Sequence, residues 1–188
     1  MTGQAEAIAA RAPGAVPAGR DGLGLRAAQC VLFLLVSLAT RFAFLGDTNY
    51  HNDELFFFIV GQRMHDGLLP YVDIWDRKGP VLFAVYWLFS GISRSILAYQ
   101  IASLIIAAAT AFLILLLTQP RAGTRGGVLA GCFYLVMLPL FGGGGGQAPV
   151  IYNLFIALAA LGVFSSLDAL ASGRVPRRVP LAACRLPC

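Results

Sequence analysis

Residues 95–117 read "SILAYQIASLIIAAATAFLILLL", a run without one charged side chain in a chain of 188 residues. In an apolar medium each backbone N–H and C=O must be paired within its own segment, so a run of about 20 such residues is read as a membrane-spanning helix. Three further runs share this character: 27–44 ("AAQCVLFLLVSLATRFAF"), 127–141 ("GVLAGCFYLVMLPLF") and 150–170 ("VIYNLFIALAALGVFSSLDAL"). Composition agrees, because 58% of the residues are apolar and only 12% are charged, against about 25% charged in soluble domains. The expected fold class is therefore all-α, a multi-span integral membrane protein with about four transmembrane helices. One more apolar segment, 80–93 ("PVLFAVYWLFSGIS"), would form a helix of only about 21 Å against a hydrocarbon core of about 30 Å. It is read as interfacial or re-entrant.

Charge sets the expected orientation, since cytoplasmic segments collect Arg and Lys near the ends of spans. If 80–93 does not cross, Arg11, Arg20 and Arg26 share one side with Arg121 and Arg125 and with Arg174, Arg177 and Arg178. That side, which includes the N-terminus, is expected to be cytoplasmic. The opposite side receives an outer loop, 46–94, and a shorter one, 142–149 ("GGGGGQAP"). Residues 1–26, rich in Ala, Gly and Pro, are expected to form a disordered cytoplasmic tail. The apolar run behind them is longer than the 7–15 residues of a signal peptide core, and no small-x-small cleavage site follows it, so an uncleaved anchor is expected. Residues 171–188, "ASGRVPRRVPLAACRLPC", read as a basic Pro/Cys tail, and Cys30, Cys132, Cys184 and Cys188 have neither metal nor redox spacing.

The outer loop concentrates the chemistry. Of the nine acidic residues in the chain, Asp47, Asp53, Glu54, Asp66, Asp73 and Asp76 all fall within 46–94. Asn52 or Asp53 suits the N-cap of a helix through "ELFFFIVGQRMHD", with Gly67 as its stop and Pro70 beyond. Phe56–Phe58 would then lie in the membrane interface. Asp53 and Glu54 would sit at the helix N-terminus, where the dipole favours a carboxylate and where it can serve as a cap, a base or a metal ligand. Asp73, Asp76, Arg77 and Lys78 close the loop with both signs of charge. His51 and His65 are read as polar loop groups rather than ligands. The glycine run lacks the βαβ context of a dinucleotide fingerprint and is expected to be a flexible loop, with Gln147 facing substrate. Arg41, near the outer end of the first span, is expected to pair with Asp47 or another loop carboxylate, or to snorkel outward.

"NDELFFF", then "GQRMHDGLLPYVDIWDRKGPVLFAVYWLF", then a second outer loop before "YNLFIAL" resemble the N-terminal part of the GT-C glycosyltransferases. The likeness is to the bacterial branch related to dolichyl-phosphate-mannose protein mannosyltransferases, lipid A aminoarabinose transferases and rhizobial lipopolysaccharide-core galacturonosyltransferases. In that family an Asp-Glu pair opens the first extracytoplasmic loop and a Lys-x-Pro or Lys-Pro-Pro element closes it; Asp53, Glu54, Lys78 and Pro80 stand at these positions. The resemblance implies a multi-pass protein of the bacterial inner membrane. It further implies transfer of a sugar from a polyprenyl-phosphate donor to a lipid, glycan or protein acceptor of the cell envelope at the outer face. Asp53 would be the base or a carboxylate ligand of a divalent metal ion, Glu54 would support it, and Lys78, Arg77 and Arg63 would hold the donor phosphate. Anchoring to anionic headgroups is the plainer role for Lys78 and Arg77. Asn153 stands where many members carry an acidic residue. It can face substrate or ligate through oxygen but cannot act as a base. Members of the family have more spans than four, so the chain is expected to be a truncated or frameshifted copy, inactive alone. The other reading is a non-catalytic membrane subunit or degenerate fragment that binds lipid phosphate or a partner. Membrane lipids are implied as partners on either reading, and nucleic acid is not.

Overall fold

In a computed structural model of the chain, residues 20–47 and 52–171 are described, with side chains over 23–47 and 52–167. Five α-helices follow one another: α1 (Arg20–Arg41, continued by a 3₁₀ turn, Phe42–Phe44), α2 (Asn52–His65), α3 (Pro80–Ile92), α4 (Ile96–Leu140) and α5 (Ala148–Ala171). Among the described residues there is no strand beyond an isolated bridge between Pro70 and Ile74. Among the described residues three segments are long and apolar enough to cross a membrane: Leu23–Phe44, Ile96–Leu140 and Ala148–Leu167. The chain is an all-α membrane protein.

The 45 residues of α4 would measure about 68 Å if straight, twice a bilayer core. They are not straight. Gly123 adopts φ 69°, ψ 176° inside the helix, three residues after Pro120, a conformation that costs only glycine nothing. The arms 96–122 and 124–140 then fold back on each other. A Cβ on Gly127 would meet the Leu115 carbonyl oxygen at 3.0 Å, and one on Gly131 would meet the Ala111 oxygen at 2.8 Å, pairings that recede in step from the turn as antiparallel helices require. Small residues let membrane helices approach this closely. The chain thus crosses as four arms, with Arg121 and Arg125 beside the turn as the sequence suggested.

The first span differs from expectation at its start. Helix α1 begins at Arg20, so residues 20–26, assigned above to the disordered tail, are helical; residues 1–19 and the 172–188 tail lie outside the described residues. Residues 27–41 alone would span about 22 Å, and the added turns bring α1 to about 33 Å, enough to cross. Arg26 lies with its guanidinium over the Phe112 ring at 5.8 Å, which fastens the added turn to α4. Further along, Phe33 is fully buried beside Gly131, and Ser37 Oγ donates to the Leu104 carbonyl at 2.9 Å.

Helix α3 has 13 residues, too short to cross, and it pairs with α2 at one end of the bundle. Gly61 permits this contact, because a Cβ there would lie 2.6 Å from the Tyr86 carbonyl oxygen. His65, the last residue of α2 rather than a loop group, stacks on Trp87 with ring centroids 5.1 Å apart and contacts the Trp87 carbonyl oxygen through Nε2 at 2.9 Å. The aromatic cluster corrects an expectation: Phe57 and Phe58 are buried in the protein, and Phe56 alone of the three is exposed. Phe57 packs edge-on to Phe83, and Phe58 reaches Tyr99 of α4 at 4.9 Å between centroids. These rings dock the α2–α3 pair onto the bundle. Gln100 closes the junction by accepting from Gly46 N at 2.8 Å and donating to the carbonyls of Phe44 and Asp47, both at 3.3 Å.

Replacing Gly131 by alanine places a methyl 2.7 Å from Phe33 and 2.8 Å from the Ala111 carbonyl, whereas Gly162 has nothing within 4 Å. Gly131→Ala is expected to cost about 1–3 kcal/mol by overpacking and to lower the thermal unfolding midpoint in detergent, while Gly162→Ala leaves it unchanged or higher. Equal midpoints for the two variants would refute the close approach of the arms.

Candidate functional site

Two adjacent carboxylates open α2, and the helix sends them in different directions because successive residues point about 100° apart. Asp53 is exposed; Glu54 is 2% exposed. The buried carboxylate accepts a hydrogen bond from the backbone N–H of Gly146, and the Tyr86 hydroxyl donates to the carbonyl oxygen of the same glycine. A Cβ on Gly145 would overlap the Glu54 carboxyl group, and one on Gly146 would meet the Tyr99 ring at 2.7 Å and the Tyr86 hydroxyl at 2.8 Å. The glycine run is therefore a packed wall. Residues 143–146 are all buried, which corrects the expectation of a flexible loop: side chains from α2, α3 and α4 come so close that only glycine backbone fits.

Arg41 grips the other end of this wall. It is 1% exposed, donates from Nε and Nη2 to the Gly143 carbonyl at 3.2 and 2.7 Å, and donates from Nη1 to Ser37 Oγ at 3.0 Å. Its charge also acts on Glu54. Burial pushes the Glu54 carboxyl from 4.5 up to about 7, against the opposing pull of the Gly146 N–H and the Arg41 guanidinium. Burial likewise pushes the Tyr86 phenol well above its usual value, and the nearby Glu54 adds to the effect. Arg41 thus acts through its charge on Glu54, a carboxylate of the outer loop, from across the glycine segment.

Asp53 faces a different space, a cleft of about 330 Å³ that it shares with Asp76, Arg77 and Lys78 under a rim of Phe56, Phe57 and Trp75. The connection between α2 and α3 is built by its own polar groups. Asp73 Oδ2 accepts from Leu69 N at 2.8 Å and Asp76 Oδ1 from Lys78 N at 2.7 Å, so both carboxylates fix turns as short acidic side chains do. Tyr71, at φ 70°, donates from its hydroxyl to the Lys78 carbonyl at 2.5 Å, while its N–H bonds the Ile74 carbonyl at 2.7 Å. The segment carrying both cations is therefore held in place. Trp75 is 81% exposed beside the cleft, an amphipathic ring of the kind enriched at bilayer surfaces.

The structure brings together Asp53, Arg77 and Lys78 from the sequence-derived set and leaves the others elsewhere. Glu54 is turned inward behind Asp53. Arg63 stands at the far end of α2, about 15 Å along the helix, and pairs with Asp66 at 3.7 Å, as Arg94 also does. Gln147 is half-buried just before α5, and its carbonyl accepts from Val150 N at 2.9 Å. Asn153 directs its amide at the Tyr134 hydroxyl, 3.5 Å away. Neither lines the cleft. His51 lies outside the described residues. Sequence reasoning passed over Trp75 and gave Asp76 no role beyond its charge. The "WDRKGP" string, an acid two residues before a lysine at a Gly-Pro stop, carried the signal of a turn that presents cations.

For a divalent metal ion the fit is poor. Among the described residues no three His, Cys, Asp or Glu side chains converge. The cleft offers two carboxylates with two cations beside them, and one Asp76 oxygen already serves the Lys78 N–H. That donor set suits an anionic group better than a metal ion.

The raised value of Glu54 makes stability depend on pH in a defined direction. A carboxyl titrating at about 7 in the fold and at 4.5 outside it favours the protonated fold, so its stabilisation is complete below about pH 4.5 and is lost as pH rises through about 7. The thermal midpoint of the parent chain should fall between about pH 5 and pH 8. Glu54→Gln, which can still accept from Gly146, should lose that slope. Parallel slopes in parent and variant would contradict the assignment.

No family model, curated protein or solved structure matches this chain, so the chemistry of the cleft is read from its own residues.

Proposed function

We propose that the chain carries the donor site of a membrane glycosyltransferase of GT-C type, which moves a sugar from a polyprenyl-phosphate donor to a lipid, glycan or protein hydroxyl at the extracytoplasmic face of a bacterial inner membrane. The observation that carries this reading is the cleft itself: the exposed carboxylate of Asp53 shares it with Arg77, Lys78 and the turn-forming Asp76, beside aromatic rings at one end of an apolar bundle. A phosphate at the mouth of the cleft meets the two cations, and a prenyl chain can follow the apolar surface beyond them.

Chemistry follows from this arrangement. Asp53 takes the proton of the acceptor hydroxyl as its oxygen bonds to the anomeric carbon; the bond from that carbon to the phosphate oxygen breaks, and the electron pair leaves with polyprenyl phosphate. Lys78 and Arg77 offset the charge that develops on the departing phosphate. Glu54 does not touch the reacting atoms. By locking the first turn of α2 to Gly146, it holds Asp53 at the cleft.

In nanodiscs, Lys78→Ala should weaken binding of polyprenyl phosphate about tenfold, the scale of one charge-assisted contact, and Asp53→Asn should leave that binding unchanged. Where sugar transfer is measured, Asp53→Asn should lower turnover about 100-fold. Binding indifferent to Lys78 would return the lysine to headgroup anchoring. Binding without any dependence of transfer on Asp53 would favour a non-catalytic subunit that holds lipid phosphate.

Orientation is testable separately. Arg26, Arg121 and Arg125 lie at the end of the bundle opposite the cleft, and the proposal makes that end cytoplasmic. In a cysteine-free background, an impermeant thiol reagent added outside should label cysteines placed at Asp66 and Trp75, both exposed, but not one at Gly123. External labelling at Gly123 would reverse the orientation.

A further inference from the structure

At the end of the bundle away from the cleft, α1 and the second arm of α4 enclose a groove of about 510 Å³. Its walls are apolar: Leu25, Ala28 and Leu32 on α1, Val128 and Leu129 on α4. Leu25, Leu32 and Leu129 are exposed on the outer surface of the bundle, where a spanning protein meets lipid chains. Three polar residues interrupt the apolar lining: Gln29, Thr124 and Arg125.

Gln29 is the anomaly. It is 4% exposed, and its Oε1 is buried without a hydrogen-bond donor from the protein, a condition that is unfavourable for a polar group left unmet. One turn earlier on α1, Arg26 has a buried Nη1 without an acceptor. Across the groove the backbone breaks at Gly123, so Thr124 starts a new 17-residue arm whose N-terminal dipole favours an anion. Arg125, exposed on that first turn, adds a full positive charge. The groove therefore asks for an apolar chain, an anion for Arg125 and the helix N-terminus, and a donor for Gln29.

We infer that this groove binds one anionic phospholipid with a hydroxyl-bearing headgroup, phosphatidylglycerol by chemical class. Its phosphate sits at Arg125 and the start of the second arm, a headgroup hydroxyl donates to Gln29 Oε1, and one acyl chain runs along Leu25, Leu32, Val128 and Leu129. A phosphodiester supplies the anion but no donor, and a choline headgroup has no donor either; the glycerol hydroxyls meet the remaining requirement. The site is independent of the cleft and of the reaction proposed for it.

The test is lipid retention by the purified 188-residue chain in detergent, read by native mass spectrometry with phosphatidylglycerol, phosphatidylmethanol and phosphatidylcholine of identical chains. One phosphatidylglycerol should be retained best. Phosphatidylmethanol, anionic but lacking the hydroxyls, should be retained less, and phosphatidylcholine least. Arg125→Gln, a change on an exposed side chain, should lower phosphatidylglycerol retention about fivefold, the weight of one basic residue at a lipid surface. Gln29→Leu should erase the preference for phosphatidylglycerol over phosphatidylmethanol, and Arg94→Gln at the other end should change nothing. Equal retention of the three lipids would overturn the inference, as would phosphatidylglycerol retention untouched by both Arg125→Gln and Gln29→Leu.

Discussion

The interaction on which the rest depends is the hydrogen bond from the Gly146 backbone to the buried carboxylate of Glu54. A carboxyl group buried away from water costs several kcal/mol unless its lone pairs are met and a counter-charge lies near. Here the partners come from far along the chain: the amide lies 92 positions away, and the charge belongs to Arg41 on α1. Arg41 acts at the far end of the glycine wall. It holds the Gly143 carbonyl, three residues before Gly146, so charge and counter-charge clamp opposite ends of one short stretch of backbone. Glycine loses more conformational freedom on ordering than any other residue. A run of five is therefore costly to fix, and the buried contacts of Glu54, Tyr86 and Arg41 offset that cost.

The same clamp determines where the cleft can be. Asp53 and Glu54 are neighbours on one helical turn, so pinning Glu54 inward turns Asp53 toward solvent and toward Lys78. The pair divides the work: one carboxylate spends its hydrogen-bonding capacity on the fold, which leaves the other free to meet a ligand. Tyr86 ties α3 to the same glycine, and α3 begins at Pro80, two residues past Lys78. Both walls of the cleft, the start of α2 and the segment before α3, are thus referenced to one residue, Gly146, through its N–H and its carbonyl. A change at Gly145 or Gly146 reaches the cleft without touching it.

Much of the architecture was legible because a bilayer imposes a length. Runs of about 20 apolar residues could only be spans; the 13 residues of α3 could not, and the paired arginines around Gly123 marked a turn. Legibility failed where a pattern has two physical meanings. Glycine runs read as chain entropy when nothing is known of their neighbours, but the same absence of side chains is what a carboxylate and two phenol rings require of a wall they press against. Phe57 and Phe58 read as interface anchors because they follow a loop; whether an aromatic on a short helix meets lipid or protein depends on a partner, α3 or Tyr99, that local sequence does not reveal. Arg63 looked equivalent to Arg77 by charge alone. Ten residues of helix separate it from Asp53, and Asp66 is nearer. In the cleft, the residues Asp53, Arg77 and Lys78 were named from charge and a resemblance, while the turns fixed by Asp73 and Asp76 needed the backbone.

A membrane setting also explains why polar interactions gather at the two ends of the bundle. Between them α1, α4 and α5 pack through Phe33, Ala107, Ala111, Leu115, Leu135 and Val150, and such contacts bring little hydrophobic gain when lipid tails are the alternative solvent. Close approach of small residues then supplies dispersion, and hydrogen bonds across helices supply register: Ser37 to Leu104 near one end, Asn153 toward Tyr134 further along. Polar groups that the bundle leaves unmet are accordingly informative. Among the described residues three buried polar atoms have no protein partner: Ser103 Oγ on the first arm of α4 and, toward the arginine end, Gln29 Oε1 and Arg26 Nη1. In the hydrocarbon region, where water is scarce, a buried polar atom can be met by the headgroup of a lipid that dips to it, which is the role proposed for the groove beside Gln29.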